Sequence, residues 1–327
     1  MIVRSLSGTW TLEASDPATL ASPIPAAVPG SVYSAMLASG RMADPYWRDN
    51  ELESLRIMEG DFTFSRHFSA DAALLSCRQV LLRCEGLDTV ADIWVNSQFA
   101  GCSDNMHRIR EFDVGTLLHE GDNIIAIRFA SPVQAIRSRY AATPVGGTRD
   151  AMIGFPLLRK AHCMFGWDWG PRLPDAGIWR DISLLGIASG RLEDVRIRQD
   201  HRADGSVRLT ASCSPDGIPG VTGVVLQLAV TSPDGTRWTA AGSAGGMDGP
   251  FVDIPQPQLW WPNGLGGQPL YTVKTTLTEN HKGIDTWERR IGLRTMTVVR
   301  RRDAWGESFC HSVNGLEFFA MGADYIP

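Results

Sequence analysis

Phe62-Thr63-Phe64-Ser65-Arg66-His67-Phe68 sets three phenyl rings and an arginine stem on one side of an extended chain, with Thr63, Ser65 and His67 on the other. A period of two is the signature of a strand with one face on a core. Outward from this stretch, residues 89–95, 123–129 and 177–185 are further alternating or β-branched runs bounded by Gly, Asn and Asp. Past Gly190 the pattern repeats at shorter spacing over residues 194–198, 207–211, 224–231, 271–278 and 287–293. Asp204-Gly205, Asp216-Gly217 and Asp234-Gly235 supply turn signals between them. Helix is scarce, and its best candidate runs over residues 31–39, opened by Pro29-Gly30-Ser31 and closed by Gly40. The fold expected is all-β: a large jelly-roll-like sandwich over residues 1–187, then an immunoglobulin-sized sandwich over residues 188–299.

The 327 residues agree with two domains and a fraction, and 43% hydrophobic against 20% charged residues is ordinary for a globular chain. The net charge of −5 argues against a nucleic-acid partner, and Arg300-Arg301-Arg302 reads as a solvated connector. The longest apolar runs, such as Val224-Val225-Leu226, are too short to span a bilayer, and no signal-like apolar region precedes Gly8-Thr9-Trp10. A cytoplasmic location without a membrane partner is therefore expected. The six cysteines show no CxxC spacing and read as buried thiols of a reducing compartment. The seven histidines never fall at metal-helix spacing, so no metal and no cofactor are expected.

The last segment fits neither sandwich. Val313-Asn314-Gly315-Leu316 is a hairpin signal, and Glu317-Phe318-Phe319-Ala320-Met321 reads as an apolar strand that wants burial on both faces. Residues 300–327 are accordingly expected to begin a third domain.

The richest chemistry lies in Phe165-Gly166-Trp167-Asp168-Trp169-Gly170-Pro171. A pyranose offers apolar C–H patches to indole faces and paired hydroxyls to a carboxylate, so this composition reads as a sugar subsite. The same residues also fit two core indoles with Asp168 capping a turn or pairing with Arg172 or Arg180.

This stretch, followed by Gly177-Ile178-Trp179-Arg180-Asp181-Ile182, strongly resembles the first domain of β-mannosidases in glycoside hydrolase family 2. Leu6-Ser7-Gly8-Thr9-Trp10, Val28-Pro29-Gly30-Ser31-Val32, Asp44-Pro45-Tyr46-Trp47 with Asn50-Glu51, and Gly86-Leu87-Asp88-Thr89-Val90-Ala91 agree in order. Leu259-Trp260-Trp261-Pro262-Asn263-Gly264 resembles the end of the family's immunoglobulin-like second domain, and Val313-Asn314-Gly315 the approach to its (β/α)₈ barrel.

The resemblance implies a retaining exo-glycosidase acting on terminal β-mannose of an oligosaccharide or glycoconjugate. Its two catalytic glutamates, about 5–5.5 Å apart in such enzymes, belong to the barrel. No catalytic residue is therefore assigned in this chain, and the barrel of the same polypeptide is its implied partner. Asp168 is the residue the resemblance carries over as a sugar contact, with Trp167 next, Asn105 a further candidate, and Trp169 in the same loop expected mainly to pack. Glu51 reproduces an Asn-Glu dipeptide of such barrels but is expected to make a structural link to Arg48. Trp260 and Trp261 are expected to pack, and His162 to be a core or rim residue. Two alternatives stay open: a free-standing carbohydrate-binding module, and the same portion of a family 2 β-galactosidase or β-glucuronidase.

Overall fold

Phe62 and Phe64 are fully buried in the strand Phe62–Ala70 of the computed structural model, which describes residues 1–213, 224–243 and 249–325. This strand pairs antiparallel with Gly121–Phe129, where Asn123, Ile125, Ile127 and Phe129 point inward at the same period. The rings of Phe64 and Phe129 meet edge to face at 5.6 Å. These two strands are the centre of a six-stranded sheet ordered Ile24–Val28, Gly8–Ala14, Phe62–Ala70, Gly121–Phe129, Val90–Val95, Gln98–Asp104. A four-stranded sheet, Ile2–Ser5, Ile182–Ile187, Gln79–Cys84 and Arg110–Asp113, completes a jelly-roll-like sandwich. Trp10, Leu12, Leu82, Ile93 and Leu184 share one core with the phenylalanines. The Arg66 stem does lie on that face. Its Nη1 donates to the carbonyls of Leu6 and Ser7 at 2.8 and 2.7 Å, pinning the chain where it passes from one sheet to the other.

The chain divides into two units, Met1–Ala188 and Ser189–Pro327. The second carries an immunoglobulin-like arrangement. Three strands, Arg196–His201, Val207–Ser212 and Phe251–Ile254, form one sheet. Four more, Arg237–Ser243, Val224–Thr231, Tyr271–Glu279 and Lys282–Ile291, form the other. Leu209, Leu226, Leu228, Val230, Val273 and Leu277 make the core between them. Gly205 and Gly235 hold φ of +84° and +89°, as their turns demand; the Asp216-Gly217 signal lies outside the described residues.

Helix is sparse, but the pattern did not reveal Asn50–Ile57, Ala72–Leu75 or Pro132–Ala142 among the described residues. Val32–Ala38 forms as expected, its first turn closed by reciprocal hydrogen bonds between Ser31 and Ser34. The longer helix Pro132–Ala142 buries only Pro132, Val133 and Ile136, so its periodicity is faint. Its readable signal is Ser131 before Pro132: the Ser131 hydroxyl accepts from the Gln134 amide at 3.0 Å.

At the carboxy terminus the strand expected over residues 317–321 is cut short. No barrel start is visible among the described residues. Met296–Arg302, Glu307–Val313 and Leu316–Phe318 instead form a three-stranded antiparallel sheet. Asn314 and Gly315, at φ +50° and +83°, make the expected tight turn, but the last strand stops at Phe318, and Phe319 and Met321 are each 85% exposed. Arg300, Arg301 and Arg302 are strand residues and not a connector; Arg300 pairs with Glu307 at 2.7 Å and Arg301 with Glu317. Cysteine burial is also mixed, because Cys102 and Cys163 face solvent. Trp260 and Trp261 are half-buried, packed over Gly292 and Gly266, where any Cβ would strike the indole.

Candidate functional site

The Trp-Asp-Trp stretch is the tip of a small hairpin in the first unit. Phe165–Trp167 pairs with Gly170–Arg172, with Phe165 opposite Arg172 and Trp167 opposite Gly170. Asp168 and Trp169 are thus the two turn residues, and a two-residue loop leaves their side chains nowhere to go but outward. Trp167 is 42% exposed and Trp169 60%, their ring centroids 5.4 Å apart. Trp169 is therefore not a packing residue; it is the more open of the two. Asp168 is exposed, and among the described residues it pairs with neither Arg172 nor Arg180. Arg180 lies over the Trp179 ring at 4.1 Å instead.

The hairpin is anchored at its base. Phe165 is fully buried in a satellite core with Ile136 and Leu158, and its carbonyl accepts from the Met152 amide at 2.9 Å. Across the pair, the Arg172 amide turns away from Phe165 and donates to Glu51 Oε1 at 3.1 Å, and the Arg172 guanidinium pairs with the same carboxylate. Glu51 belongs to the helix Asn50–Ile57. Its partner is Arg172, not Arg48, whose guanidinium sits 5.4 Å from the Trp47 ring. Gly166 holds φ of +91°, and a Cβ there would lie 2.5 Å from Arg172 Cγ, so only glycine lets the arginine stem pass.

Beside the hairpin, a cleft of about 330 Å³ is lined by Pro29, Gly30, Ser31, Ser34, Asp88, Met106, Met164, Asp175, Gly177 and Trp179. Its floor is charged. Lys160, wholly buried, pairs with Asp88 and donates to the Asp175 carbonyl at 2.7 Å; the Thr89 hydroxyl donates to the other Asp88 oxygen. Asp175 Oδ1 accepts from the amides of Tyr33 and Ala176 at 3.1 and 2.8 Å, fixing the start of the helix Val32–Ala38. Desolvation outweighs these bonds and the nearby Lys160 charge and raises the Asp175 carboxyl to about 6. Burial first, and then the Asp175 charge, push the Tyr33 phenol far up.

Asn105 is held by local bonds. Its backbone bridges to Arg159, its Oδ1 accepts from the His107 amide at 2.9 Å, and it is half-buried. Its neighbour Met106 reaches the cleft, where the Met106 carbonyl accepts from Trp179 Nε1 at 3.1 Å. His162 is an exposed rim residue, edge-on to Phe155 at 5.0 Å. Sequence reasoning missed Glu51 with Arg172 and Lys160 with Asp88. Each pair joins residues 121 or 72 positions apart, a separation no local spacing encodes. Among the described residues no group of three or more His, Cys, Asp or Glu could hold a metal ion.

Comparison with known proteins follows the same division of the chain. Residues 10–180 match the family described as glycosyl hydrolase 2 galactose-binding domain-like, and residues 190–294 match glycosyl hydrolases family 2. The chain is similar to β-mannosidase B of Aspergillus terreus, 31% identical over 332 residues, covering 99% of this chain and 39% of that protein. β-Mannosidase B of Aspergillus fumigatus is 31% identical over 318 residues, 93% of this chain and 36% of that one. Among solved structures, a β-D-mannosidase from Dictyoglomus thermophilum superposes over 100% of this chain and 40% of its own, at TM-score 0.87 and 29% identity. The chain thus spans about two fifths of the length of these relatives.

Proposed function

We propose that this chain, which belongs to family 2 of the glycosyl hydrolases, is the amino-terminal portion of a retaining exo-β-mannosidase. In this reading it contributes one wall of the subsite for terminal, non-reducing β-D-mannose, and the two glutamates of the retaining mechanism lie outside these 327 residues. The observation that carries the reading is an exposed carboxylate between two exposed indoles on a hairpin anchored at its base. Asp168 accepts a pair of sugar hydroxyls, and the indoles cover the apolar face of the ring. No proton is moved here; the wall orients, and the general acid and the nucleophile act from the opposite side. Exposed thiols at Cys102 and Cys163 suit a cytoplasmic setting.

Half a pocket leaves most of a sugar ring in water, where carboxylate–hydroxyl bonds only exchange partners. The chain alone therefore binds mannose no better than millimolar and does not cleave an aryl β-mannoside. Release above buffer that disappears in Glu51→Gln would overturn the division of labour. Micromolar binding by calorimetry that depends on Asp168 would contradict the half-pocket and favour a free-standing binding module.

A further inference from the structure

The hairpin tip, Gly166 to Gly170, has little of its own to hold it. It owns one cross-strand pair, Trp167 with Gly170, its two indoles face solvent, and nothing lies within 4 Å of where a Gly170 Cβ would stand. Two-stranded hairpins of this size are marginal in water. The order of Asp168 must therefore come from the base, which is gripped on both edges. On one edge the Met152 amide donates to the Phe165 carbonyl at 2.9 Å. On the other, a single oxygen of Glu51 accepts from both the main-chain amide and the guanidinium of Arg172.

These two bonds do different things. The amide bond sets where the returning strand lies, and the guanidinium bond sets how its side chain is turned over Gly166, where the arginine stem itself fills the space a Cβ would take. Glu51 is itself well fixed. It sits in the first turn of the helix Asn50–Ile57, where a carboxylate is favoured by the exposed amides. That helix is tied down at its first residue and near its middle: Asn50 Nδ2 donates to the Asp44 carbonyl at 2.7 Å, and the buried Tyr33 hydroxyl donates to the Ser54 carbonyl at 2.8 Å.

We propose that Glu51 is a positioning residue for Asp168, acting through Arg172 to hold the Trp167-Asp168-Trp169 tip in one orientation. It touches no sugar. Its value to a sugar site rests on the reading of the hairpin given above, but its effect on the tip does not.

The test is amide hydrogen exchange, resolved by NMR, on the full 327-residue chain with Glu51→Ala and Glu51→Gln. In Glu51→Ala, exchange at the amides of residues 167–170 rises about tenfold, while amides of the strand Phe62–Ala70 keep their rates. Glu51→Gln, which keeps an acceptor but not the charge, gives an increase of about twofold to threefold. The pair is partly exposed, so the melting temperature of the first unit falls by less than about 4 °C. Unchanged exchange at the tip in Glu51→Ala overturns the proposal. So does a rise shared by the whole unit with a large fall in melting temperature, since that describes a fold residue. Methyl β-D-mannoside titration separates the two readings. A looser tip in a protein whose wild type never responds to the sugar sinks the sugar wall and leaves the positioning role standing. A wild-type response that Glu51→Ala leaves undiminished sinks the positioning role alone.

Discussion

Replacing Lys160 with methionine keeps most of the side chain's length and removes its charge. In the first unit the Lys160 side chain is 0% exposed and that of Asp88 5%, and the ammonium serves both Asp88 and the Asp175 carbonyl. Methionine strands the Asp88 carboxylate away from water, with only the Thr89 hydroxyl donating to it. Breaking a buried pair from one side costs about 3–5 kcal/mol. For a unit of the size of Met1–Ala188, about 2–4 °C accompanies each kcal/mol, so the melting temperature drops by about 6–20 °C. Calorimetry reads this directly, and urea titration gives a lower midpoint at unchanged slope. Adding Asp88→Asn removes the stranded charge, so the double variant recovers more than half of the loss, a coupling that a mutant cycle isolates. A Lys160→Met protein melting within about 1 °C of wild type would refute the reasoning, because exposed pairs alone behave that way. A double variant worse than the single would refute it equally.

Three further outcomes follow from the same geometry. The Asp175 carboxyl, raised to about 6 by burial, favours the protonated form in the folded unit; its stabilising effect is full below about pH 4 and is lost as pH rises through about 6. Asp175→Asn flattens that segment of the stability–pH curve, as urea midpoints at a series of pH values record. Gly166→Ala, with φ of +91° and Arg172 Cγ 2.5 Å from the new methyl, stores about 1–3 kcal/mol of local strain and shifts the indole resonances of Trp167 and Trp169. Phe129→Ala empties the site facing Phe64 and costs the first unit about 3–5 kcal/mol in urea unfolding, against well under 1 kcal/mol for Thr63→Ala on the opposite face.

What could be read from the sequence was what depends on neighbours along the chain. Alternation in 62–68 located a central strand because side-chain direction in a strand is set by position alone. Val313-Asn314-Gly315-Leu316 located a hairpin because its turn needs two residues that tolerate positive φ. The Trp-Asp-Trp tip was legible by composition, yet its exposure was not, since an indole between glycines suits a core as well as a rim. The helix Pro132–Ala142 escaped notice because so few of its residues face inward. Glu51 was assigned the nearest arginine, whereas the fold supplied one 121 residues away. The hairpin signal and the apolar run predict a strand to Met321, but pairing ends at Phe318, because hydrophobicity does not say where a partner strand stops.

We read Asp168 and its two indoles as a wall shaped for a pyranose. A titration of the labelled chain with methyl β-D-mannoside, followed at the indole Nε1–H signals of Trp167 and Trp169 and the amides of residues 166–170, tests it most directly. Shifts confined to the hairpin are expected, with an affinity no better than millimolar, and they are abolished by Asp168→Ala. Signals that stay put up to ~100 mM sugar, a concentration that fills a measurable fraction even of a site well weaker than millimolar, would contradict it, as would shifts that persist undiminished in Asp168→Ala.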